Sequence, residues 1–427
     1  MEGKKLSLAQ ALAIGLGNII GAGIFVMAGV SITAAGPAAL LAFLITALYA
    51  MSVGLNNAEL SSVFPKVEGG VYSFALLSLG ETIGFLVGWF RVIGYAISGG
   101  ATALGFSGYL ITTFSLPSYL YFPLSIILIV ILTIIDYLGL KLAAEIESVL
   151  VILNVIGLIS FSITVLIITG LNIYNFSPFL PHGIKGVLIA SNIAFFAYSG
   201  FNTIATLTPS VKNGERTVPK AIIFSLLISA ILYMLVTFSM VDAVGYKVFS
   251  TTSAPLQLVL ANIHAPAIVY FFVNLTAILA TVTVTLSTII ATERTMMQIE
   301  SDGLLPKIKG GRKTILVIIA LIMVASLGLG NVEAIALASN FGIIFSYMLS
   351  GIEVAVVRHR GLKGVFRSPG FPIIQVVSII MSGIFMYSLG SQSLIIGFIT
   401  LLIGLVIHSI HKEIFKKEGI LLKRTYN

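Results

Sequence analysis

The sequence predicts an all-α integral membrane protein that crosses the bilayer about twelve times. The first observation is composition, since 58% of the 427 residues are hydrophobic and 9% are charged. Soluble proteins carry roughly 25% charged residues, so lipid is the solvent for most of this surface. The second observation is a succession of apolar segments near the ~20 residues that cross a bilayer. The third is the distribution of Lys and Arg, which follows the order of these segments.

Twelve predicted spans follow one another with short connections. They cover residues 8–30, 37–63, 82–112, 121–138, 145–170, 186–208, 218–245, 266–296, 314–330, 332–357, 372–389 and 392–411. Because no low-complexity linker separates them, we expect residues 1–427 to form a single transmembrane domain. The first span follows Lys4 and Lys5 and could imitate a signal peptide, but it is too long and lacks a convincing cleavage site, so we expect it to be retained.

The basic residues predict the orientation of these spans. With the N-terminus inside, the outer loops hold only Lys185 and Lys247, and Arg91 lies within the third span. The chain has 24 Lys and Arg residues, and all the remaining ones fall in segments predicted to be cytoplasmic. This bias follows the positive-inside rule and predicts a multi-pass plasma-membrane protein with both termini in the cytoplasm. It also explains the net charge of +8 without a nucleic acid partner.

The first span contains a glycine-rich interruption. Residues 17–25 read Gly-Asn-Ile-Ile-Gly-Ala-Gly-Ile-Phe, in the middle of an apolar segment. Lipid offers no hydrogen-bond partners, so a break at this depth is stable only where the freed N–H and C=O groups face protein, water or a ligand. The alternative is that these glycines form a packing face between continuous helices.

A second interruption follows in the sixth span. Residues 192–202 begin apolar and turn small and polar at Ser199, Gly200 and Asn202, and Pro209 follows. The two breaks occupy equivalent positions in two five-helix halves of opposite topology. Paired interruptions of this kind point to the binding site of an inverted-repeat transporter.

The predicted repeats cover residues 8–170 and 186–357, and two additional helices occupy residues 372–411. Where helices 1 and 6 are discontinuous, the start of each second half-helix presents free N–H groups to an anion. The ends of the first half-helices present carbonyl oxygens to a cation. An α-amino acid carries both charges a short distance apart and matches this arrangement.

Three stretches resemble the amino acid–polyamine–organocation (APC) superfamily, whose members share a LeuT-like fold with a five-plus-five inverted repeat. They are residues 17–25, residues 195–202 continuing to 211–219, and the sequence Asp-Gly-Leu-Leu-Pro at residues 302–306. The resemblance implies that backbone N–H groups at the first break bind the substrate carboxylate. The carbonyls of Ile19, Phe196 and Ser199 would then bind the amino group, and the Phe196 ring would close over the substrate. The substrate-binding residues implied in this way are Ile19, Gly21, Ala22, Gly23, Ile24, Phe196, Ser199, Gly200 and Asn202.

The sequence departs from the family at positions that affect coupling and selectivity. Many proton-linked relatives place a lysine in the middle of helix five, whereas the matching residue here is Asn154, whose amide does not titrate. Acids found in cationic amino acid carriers align with Gly94 and Asn202. A buried cation needs a partner charge, so we expect a neutral amino acid as the substrate. A cationic amino acid or polyamine carrier of the same fold is the alternative.

The eighth span supplies candidate ligands for a coupling ion. Ser287 and Thr288 lie in an otherwise apolar stretch that also contains Thr281, Thr283 and Thr285. In sodium-coupled members of this architecture, two adjacent hydroxyls in helix eight join helix-one carbonyls around the ion. The alternative is that these hydroxyls bond to their own or a neighbouring helix, which is routine in membranes. We therefore expect no cofactor other than a coupling ion, either sodium or a proton, and no resident metal site.

Ionisable residues inside the predicted spans are functional candidates by default. Glu59 and Glu353 fall near cytoplasmic helix ends, where we expect snorkelling or salt bridges. We expect Arg91 to pair with an acid, and Glu293 and Arg294 to end the eighth span.

No cluster of nucleophile, base or metal ligands predicts an enzyme. The sequence predicts a secondary active transporter that moves an amino acid by alternating access, as ion-coupled transport or exchange, with lipids around it and no obligatory protein partner. A channel or a non-transporting amino acid sensor on the same fold is the alternative from another class. With no cysteine in the chain, disulfides and thiolate metal sites do not arise.

Overall fold

The structure is a computed structural model that describes residues 5–67, 70–139 and 144–417. Within these residues the chain is built from α-helices and short 3-10 turns, with one isolated backbone bridge between Leu6 and Val211. The helices are α1 (Leu8–Ile19), α2 (Ala22–Ala35), α3 (Ala39–Val63), α4 (Val71–Leu79), α5 (Glu81–Phe114), α6 (Tyr121–Tyr137), α7 (Ala144–Thr169), α8 (Gly183–Tyr198), α9 (Thr203–Thr206), α10 (Gly214–Ala243), α11 (Pro255–Asn262), α12 (Ala267–Ser301), α13 (Gly311–Ser326), α14 (Val332–His359), α15 (Ile373–Tyr387) and α16 (Ser391–Lys417). Lys4, Lys141, Lys423 and Arg424, which belong to the predicted cytoplasmic charge, lie outside the described residues.

The structure confirms an all-α multi-span membrane architecture. Ten helical stretches of the described chain are long and apolar enough to cross a bilayer, and two shorter apolar helices, α1 and α15, accompany them. One of the ten, Gly23–Val63, contains α2 and α3 on either side of a 3-10 turn at Gly36–Ala38. Each of the twelve predicted spans therefore corresponds to one helix or to a pair of consecutive short helices.

Two connecting helices and one helix end differ from the sequence prediction. Neither α4 nor α11 was expected, because each is too short to cross a bilayer. The helix α12 continues to Ser301, so the prediction that Glu293 and Arg294 end the eighth span is wrong. Residues 297–301 contain no Gly or Pro, and the helix stops just before Gly303, whose φ of 70° does not belong to an α-helix.

Helices at equivalent positions of the two predicted repeats pack against each other. The helix α2 of the first span lies along α8 of the sixth, α3 lies along α10, and α5 lies along α12. The small residues at these contacts allow close approach, as expected for helices that associate in lipid. This packing brings both interrupted spans to the centre of the bundle, while the division into two repeats stays a prediction.

Candidate substrate site at the interrupted spans

A cavity lies where the first and sixth spans are interrupted. It encloses about 490 Å³ of space free of protein atoms, part of it open to solvent. The residues that line it are Asn18, Ile19, Gly21, Gly23, Tyr95, Ser98, Thr102, Phe196, Ser199, Gly200, Thr203, Val284, Ser287, Thr288 and Ala291. The lining combines hydroxyl groups, backbone and one phenylalanine ring, and among the described residues no Asp, Glu, Lys, Arg or His side chain contributes to it.

The first span is broken at the cavity wall. The helix α1 ends at Ile19, the chain turns at Ile20 (φ −81°, ψ 82°), and α2 begins at Ala22. No side chain caps the start of α2. The first N–H groups of a helix have no acceptor within the helix, so those of Ala22 and Gly23 remain available for a ligand. The Gly21 N–H instead donates to the Ile19 carbonyl at 3.0 Å.

Two glycines allow the interrupted spans to touch. A Cβ atom on Gly23 would collide with the Ala197 backbone and stand 2.7 Å from its Cβ atom, so α2 and α8 meet here without intervening side chains. A Cβ atom on Gly200 would collide with the Asn18 carbonyl. Any side chain at either position would push the two spans apart and alter the cavity between them.

The sixth span is interrupted in a different manner from the first. Its α-helix stops at Tyr198 and resumes at Thr203, but the intervening residues form a 3-10 turn and keep helical backbone angles. The Ser199 hydroxyl donates to the Phe196 carbonyl at 3.0 Å, and the Thr203 hydroxyl donates to the Gly200 carbonyl at 2.8 Å. These bonds to carbonyls three residues earlier support the 3-10 turn. The span therefore tightens at this point and does not present a row of free N–H groups.

Tyrosine hydroxyls donate hydrogen bonds to backbone carbonyl oxygens at both interruptions. The hydroxyl oxygen of Tyr233 in α10 lies 2.6 Å from the Ile19 carbonyl oxygen and 3.1 Å from that of Ala197. It thus joins the end of α1 to the end of α8. The Tyr347 hydroxyl in α14 donates to the Ser199 carbonyl at 2.8 Å. The Ile19 carbonyl thus accepts from both the Gly21 N–H and the Tyr233 hydroxyl, which uses its two lone pairs. A ligand can therefore contact this oxygen only in competition with these donors.

The structure brings most of the predicted site residues together. Eight of them line the cavity. They are Ile19, Gly21, Gly23, Phe196, Ser199 and Gly200 at the two breaks, with Ser287 and Thr288 on α12. For Ala22 only the backbone is described. Their roles as ligands stay predictions.

Three predicted residues lie away from the cavity lining. Ile24 is fully buried in the apolar core. Asn202 is also buried, and its side-chain oxygen accepts from the Asn57 amide at 2.5 Å. Asn154 on α7 is buried, and its side-chain oxygen has no hydrogen-bond partner in the part of the chain that the structure describes. These three side chains could affect a ligand only through neighbouring residues.

The sequence interpretation missed one wall of the cavity. Tyr95, Ser98 and Thr102 of α5 all face it. Residues spaced by three and four positions share one face of a helix, so polar residues at positions 95, 98 and 102 of an apolar span were a usable signal. Tyr233 also belongs to such a series, with Ser225, Ser229 and Thr237 at four-residue spacing in α10. Tyr347 lies beside Ser346 and three residues before Ser350 in α14.

The hydroxyls of α12 also bond to their own helix. Thr288 donates to the Thr285 carbonyl at 2.7 Å, and Thr285 shares a 2.7 Å hydrogen bond with Thr102 of α5. Thr281 and Thr283 likewise donate to carbonyls of the preceding turn. Most of this threonine series therefore has the routine bonding of membrane helices.

Arg91 lies beside the cavity and is bonded to its lining. Its guanidinium donates to the Tyr95 hydroxyl at 3.0 Å, while its Nε and Nη1 atoms are buried and have no partner among the residues that the structure describes. The expected pairing with an acid is wrong, because no salt bridge to Arg91 exists among the described residues. A positive charge is consequently held next to one wall of the cavity.

The two buried glutamates expected near cytoplasmic helix ends behave differently. Glu59 forms a two-point ion pair with Arg358, with N–O distances of 2.8 and 2.7 Å, and this confirms the expected salt bridge. Glu353 is fully buried, and neither carboxyl oxygen has a partner in the described chain, so the expectation of a salt bridge or snorkelling is wrong for this residue.

Comparisons with known proteins agree with this architecture. Residues 6–389 match a family model described as amino acid permease. The branched-chain amino acid permease BcaP of Bacillus subtilis is 29% identical, over 96% of this chain and 93% of that protein. The methylthioribose transporter of the same organism is 29% identical, over 99% and 97% of the two chains. Cationic amino acid transporter 3 of Arabidopsis thaliana is 31% identical over 71% of this chain and 52% of that protein.

Proposed function

Because the chain belongs to the amino acid permease family, we propose that it is a secondary active transporter that moves neutral amino acids across the plasma membrane by alternating access. One observation carries the choice of a neutral substrate, namely that no charged side chain lines the cavity. A cationic side chain buried there would lack a partner charge. It would also approach Arg91, whose guanidinium is hydrogen-bonded to the cavity residue Tyr95.

The substrate head group is assigned to the broken first span. Its carboxylate accepts from the uncapped N–H groups of Ala22 and Gly23 at the positive end of the α2 dipole. Its amino group lies against the Ile19 and Ser199 carbonyl oxygens, which Tyr233 and Tyr347 hold in place. Because these contacts are to backbone, they suit any α-amino acid, and the side chain is selected elsewhere in the cavity.

The side-chain pocket is assigned to the wall formed by Phe196 and Val284. An aliphatic side chain would bury apolar surface there, at about 25 cal/mol per Å². The relatives named as branched-chain amino acid permeases favour the same choice. A second candidate is a hydroxyl-rich neutral solute such as methylthioribose, because Ser98, Thr102 and Ser287 supply hydroxyls along the opposite part of the lining.

Both termini are assigned to the cytoplasm, on the basis of the Lys and Arg distribution.

For the coupling ion, Ser287 and Thr288 remain the candidate sodium ligands, since both line the cavity and hydroxyl oxygens suit a hard cation. Proton coupling is the other candidate.

Reconstitution tests the proposed function directly. Purified protein in liposomes loaded with unlabelled L-leucine should take up labelled L-leucine by counterflow, with saturation. Unlabelled arginine should not compete, whereas valine and isoleucine should. Uptake of arginine in preference to leucine would overturn the neutral assignment, and binding without counterflow would indicate a sensor.

A further inference from the structure

Glu353 is an isolated acid in the interior of the bundle. It lies in α14, its exposure is 0%, and both carboxyl oxygens are buried without a hydrogen-bond partner among the described residues. No salt bridge of the described chain includes it. Structural acids in this protein do have partners, as the two-point pair between Glu59 and Arg358 shows. The isolation of Glu353 therefore requires its own explanation.

The physical cost of burial differs strongly between the two protonation states. An ionised carboxylate without a partner loses several kcal/mol of solvation in a protein interior, even after relaxation. A neutral carboxylic acid without a partner loses only about 1–3 kcal/mol. Intramembrane acids are kept where they serve ion or proton pathways. In the conformation seen here, Glu353 consequently holds a proton.

The elements packed against α14 supply no base or cation that binds this carboxyl. The ionisable side chains that the structure describes on α3, α4, α5, α8, α15, α16 and α14 itself are Tyr49, Glu59, Tyr72, Glu81, Arg91, Tyr95, Tyr109, Lys185, Tyr198, Glu333, Tyr347, Arg358, His359, Tyr387, His408, His411, Lys412 and Glu413. The cation nearest along the helix, Arg358, is committed to Glu59 and to the Ser368 carbonyl. Arg91 is bonded to Tyr95.

The position of Glu353 links it to the substrate cavity. Three residues earlier on α14, the Ser350 hydroxyl accepts from Asn56 of α3 at 3.4 Å. Six residues earlier, or about 9 Å along the helix axis, the Tyr347 hydroxyl donates to the Ser199 carbonyl of the cavity. One helix therefore carries both the contact to the interrupted sixth span and the buried acid. A movement of α14 that changes the contact with Ser199 also changes the surroundings of Glu353.

From this geometry we infer that Glu353 is the proton-binding group that couples transport to a pH gradient, an inference that rests on the proposed function. The carboxylate takes one proton from water on the outer side, and the neutral acid is buried in the conformation described here. When the bundle opens to the cytoplasm and water reaches the group, the acid releases the same proton there. One proton then crosses with each substrate molecule. Asn154 of α7, in the fifth span, is a neutral amide and supplies no proton-binding group at that position.

The test uses the whole protein in liposomes with labelled L-leucine and the membrane voltage clamped at zero. With one proton per leucine, an inward gradient of one pH unit supports up to about tenfold accumulation. We expect the wild-type protein to approach this limit. Glu353→Gln imitates the protonated acid, so it should keep leucine counterflow while accumulation falls to a ratio of about one. Glu333→Gln, which removes a half-buried acid at the start of the same helix, should accumulate leucine like the wild type.

The outcomes separate this inference from the proposed function. Wild-type counterflow together with equal pH-driven accumulation by Glu353→Gln would overturn the role of Glu353. Absence of leucine counterflow in the wild-type protein would overturn the proposed function instead. If Glu353→Gln does not fold, Glu353→Asp decides, because it keeps the carboxyl and should retain pH-driven accumulation. Failure of a folded Glu353→Asp protein to accumulate leucine, with counterflow intact, would count against the inference.

A spectroscopic measurement tests the protonation state without transport. The infrared spectrum of the wild-type protein in lipid should contain a carboxylic acid C=O band at neutral pH. This band should be absent from Glu353→Gln and present in Glu333→Gln. If the spectra of the wild type and of Glu353→Gln differ only by loss of a carboxylate band, the group is ionised in the wild type. That result would contradict the inference.

Discussion

Tyr233 offers the sharpest test of how the broken spans are held. Its hydroxyl lies 2.6 Å from the Ile19 carbonyl oxygen and 3.1 Å from that of Ala197, and its side chain is fully buried. A hydroxyl has one proton, so this proton serves two carbonyls at two different helix ends. Tyr233→Phe removes it and leaves both acceptors in the interior without this donor, while the ring and its packing remain.

The expected magnitude follows from these contacts. Leaving a buried polar group unsatisfied costs about 1–3 kcal/mol, and membrane interiors give values toward the lower end. Tyr198→Phe is the matched control, because its ring contacts that of Tyr233 at a centroid distance of 4.9 Å and its buried hydroxyl has no partner. We expect Tyr233→Phe to lower the melting temperature and to weaken leucine binding by a factor between about 5 and about 30. Tyr198→Phe should not lower the melting temperature, because it removes a buried hydroxyl that has no partner among the described residues, and it should leave leucine binding unchanged.

Thermal unfolding in detergent, with and without L-leucine, measures both quantities for each variant. Ligand binding raises the melting temperature according to ligand concentration and affinity, so the leucine-dependent shift reports binding separately from stability. Equal behaviour of the two variants would refute the idea that the Tyr233 hydroxyl positions the helix ends. Tighter leucine binding by Tyr233→Phe would also refute it, since the hydroxyl would then be a competitor for the Ile19 carbonyl.

Three further predictions concern the cavity itself. Gly23→Leu should abolish leucine binding, because even a Cβ atom there collides with Ala197, whereas Gly383→Leu, on an exposed and open face of α15, should bind normally; wild-type uptake by Gly23→Leu would contradict the placement. Phe196→Ala should weaken leucine affinity without unfolding the protein, and unchanged affinity would remove this ring from the site. Replacement of sodium by choline should leave leucine accumulation unchanged if a proton is the coupling ion, and loss of accumulation would support sodium at the α12 hydroxyls.

The first interruption could be predicted from sequence because its signal is local. Glycines at positions 21 and 23 of a membrane span indicate either a break in the helix or close packing against another helix. The structure shows both, a break before Ala22 and a contact between Gly23 and Ala197. The positions of the spans followed from the same local physics, since apolar length alone sets them.

The form of the second interruption could not be predicted in this way. Small polar residues permit either an open break or a 3-10 turn, and the choice depends on where hydroxyls find carbonyls. Here Ser199 and Thr203 both bond backward and tighten the chain. The tyrosines that hold the carbonyls come from α10 and α14, far along the chain, and such pairings depend on tertiary packing.

The fate of the two buried glutamates shows the same limit. Both Glu59 and Glu353 are single acids near the ends of apolar spans, and nothing local separates them. The structure places Arg358 and the Ser368 N–H against Glu59, while Glu353 has no partner within the described parts of the chain. Sequence position gave the depth of each acid, but partner geometry decides whether the acid is structural or free to exchange a proton.

A structure of the protein with bound L-leucine would test the central claim most directly. The account predicts the leucine carboxylate within hydrogen-bond distance of the Ala22 and Gly23 N–H groups and the amino group against the Ile19 and Ser199 carbonyl oxygens. Leucine bound elsewhere in the bundle, with the start of α2 unoccupied, would contradict it.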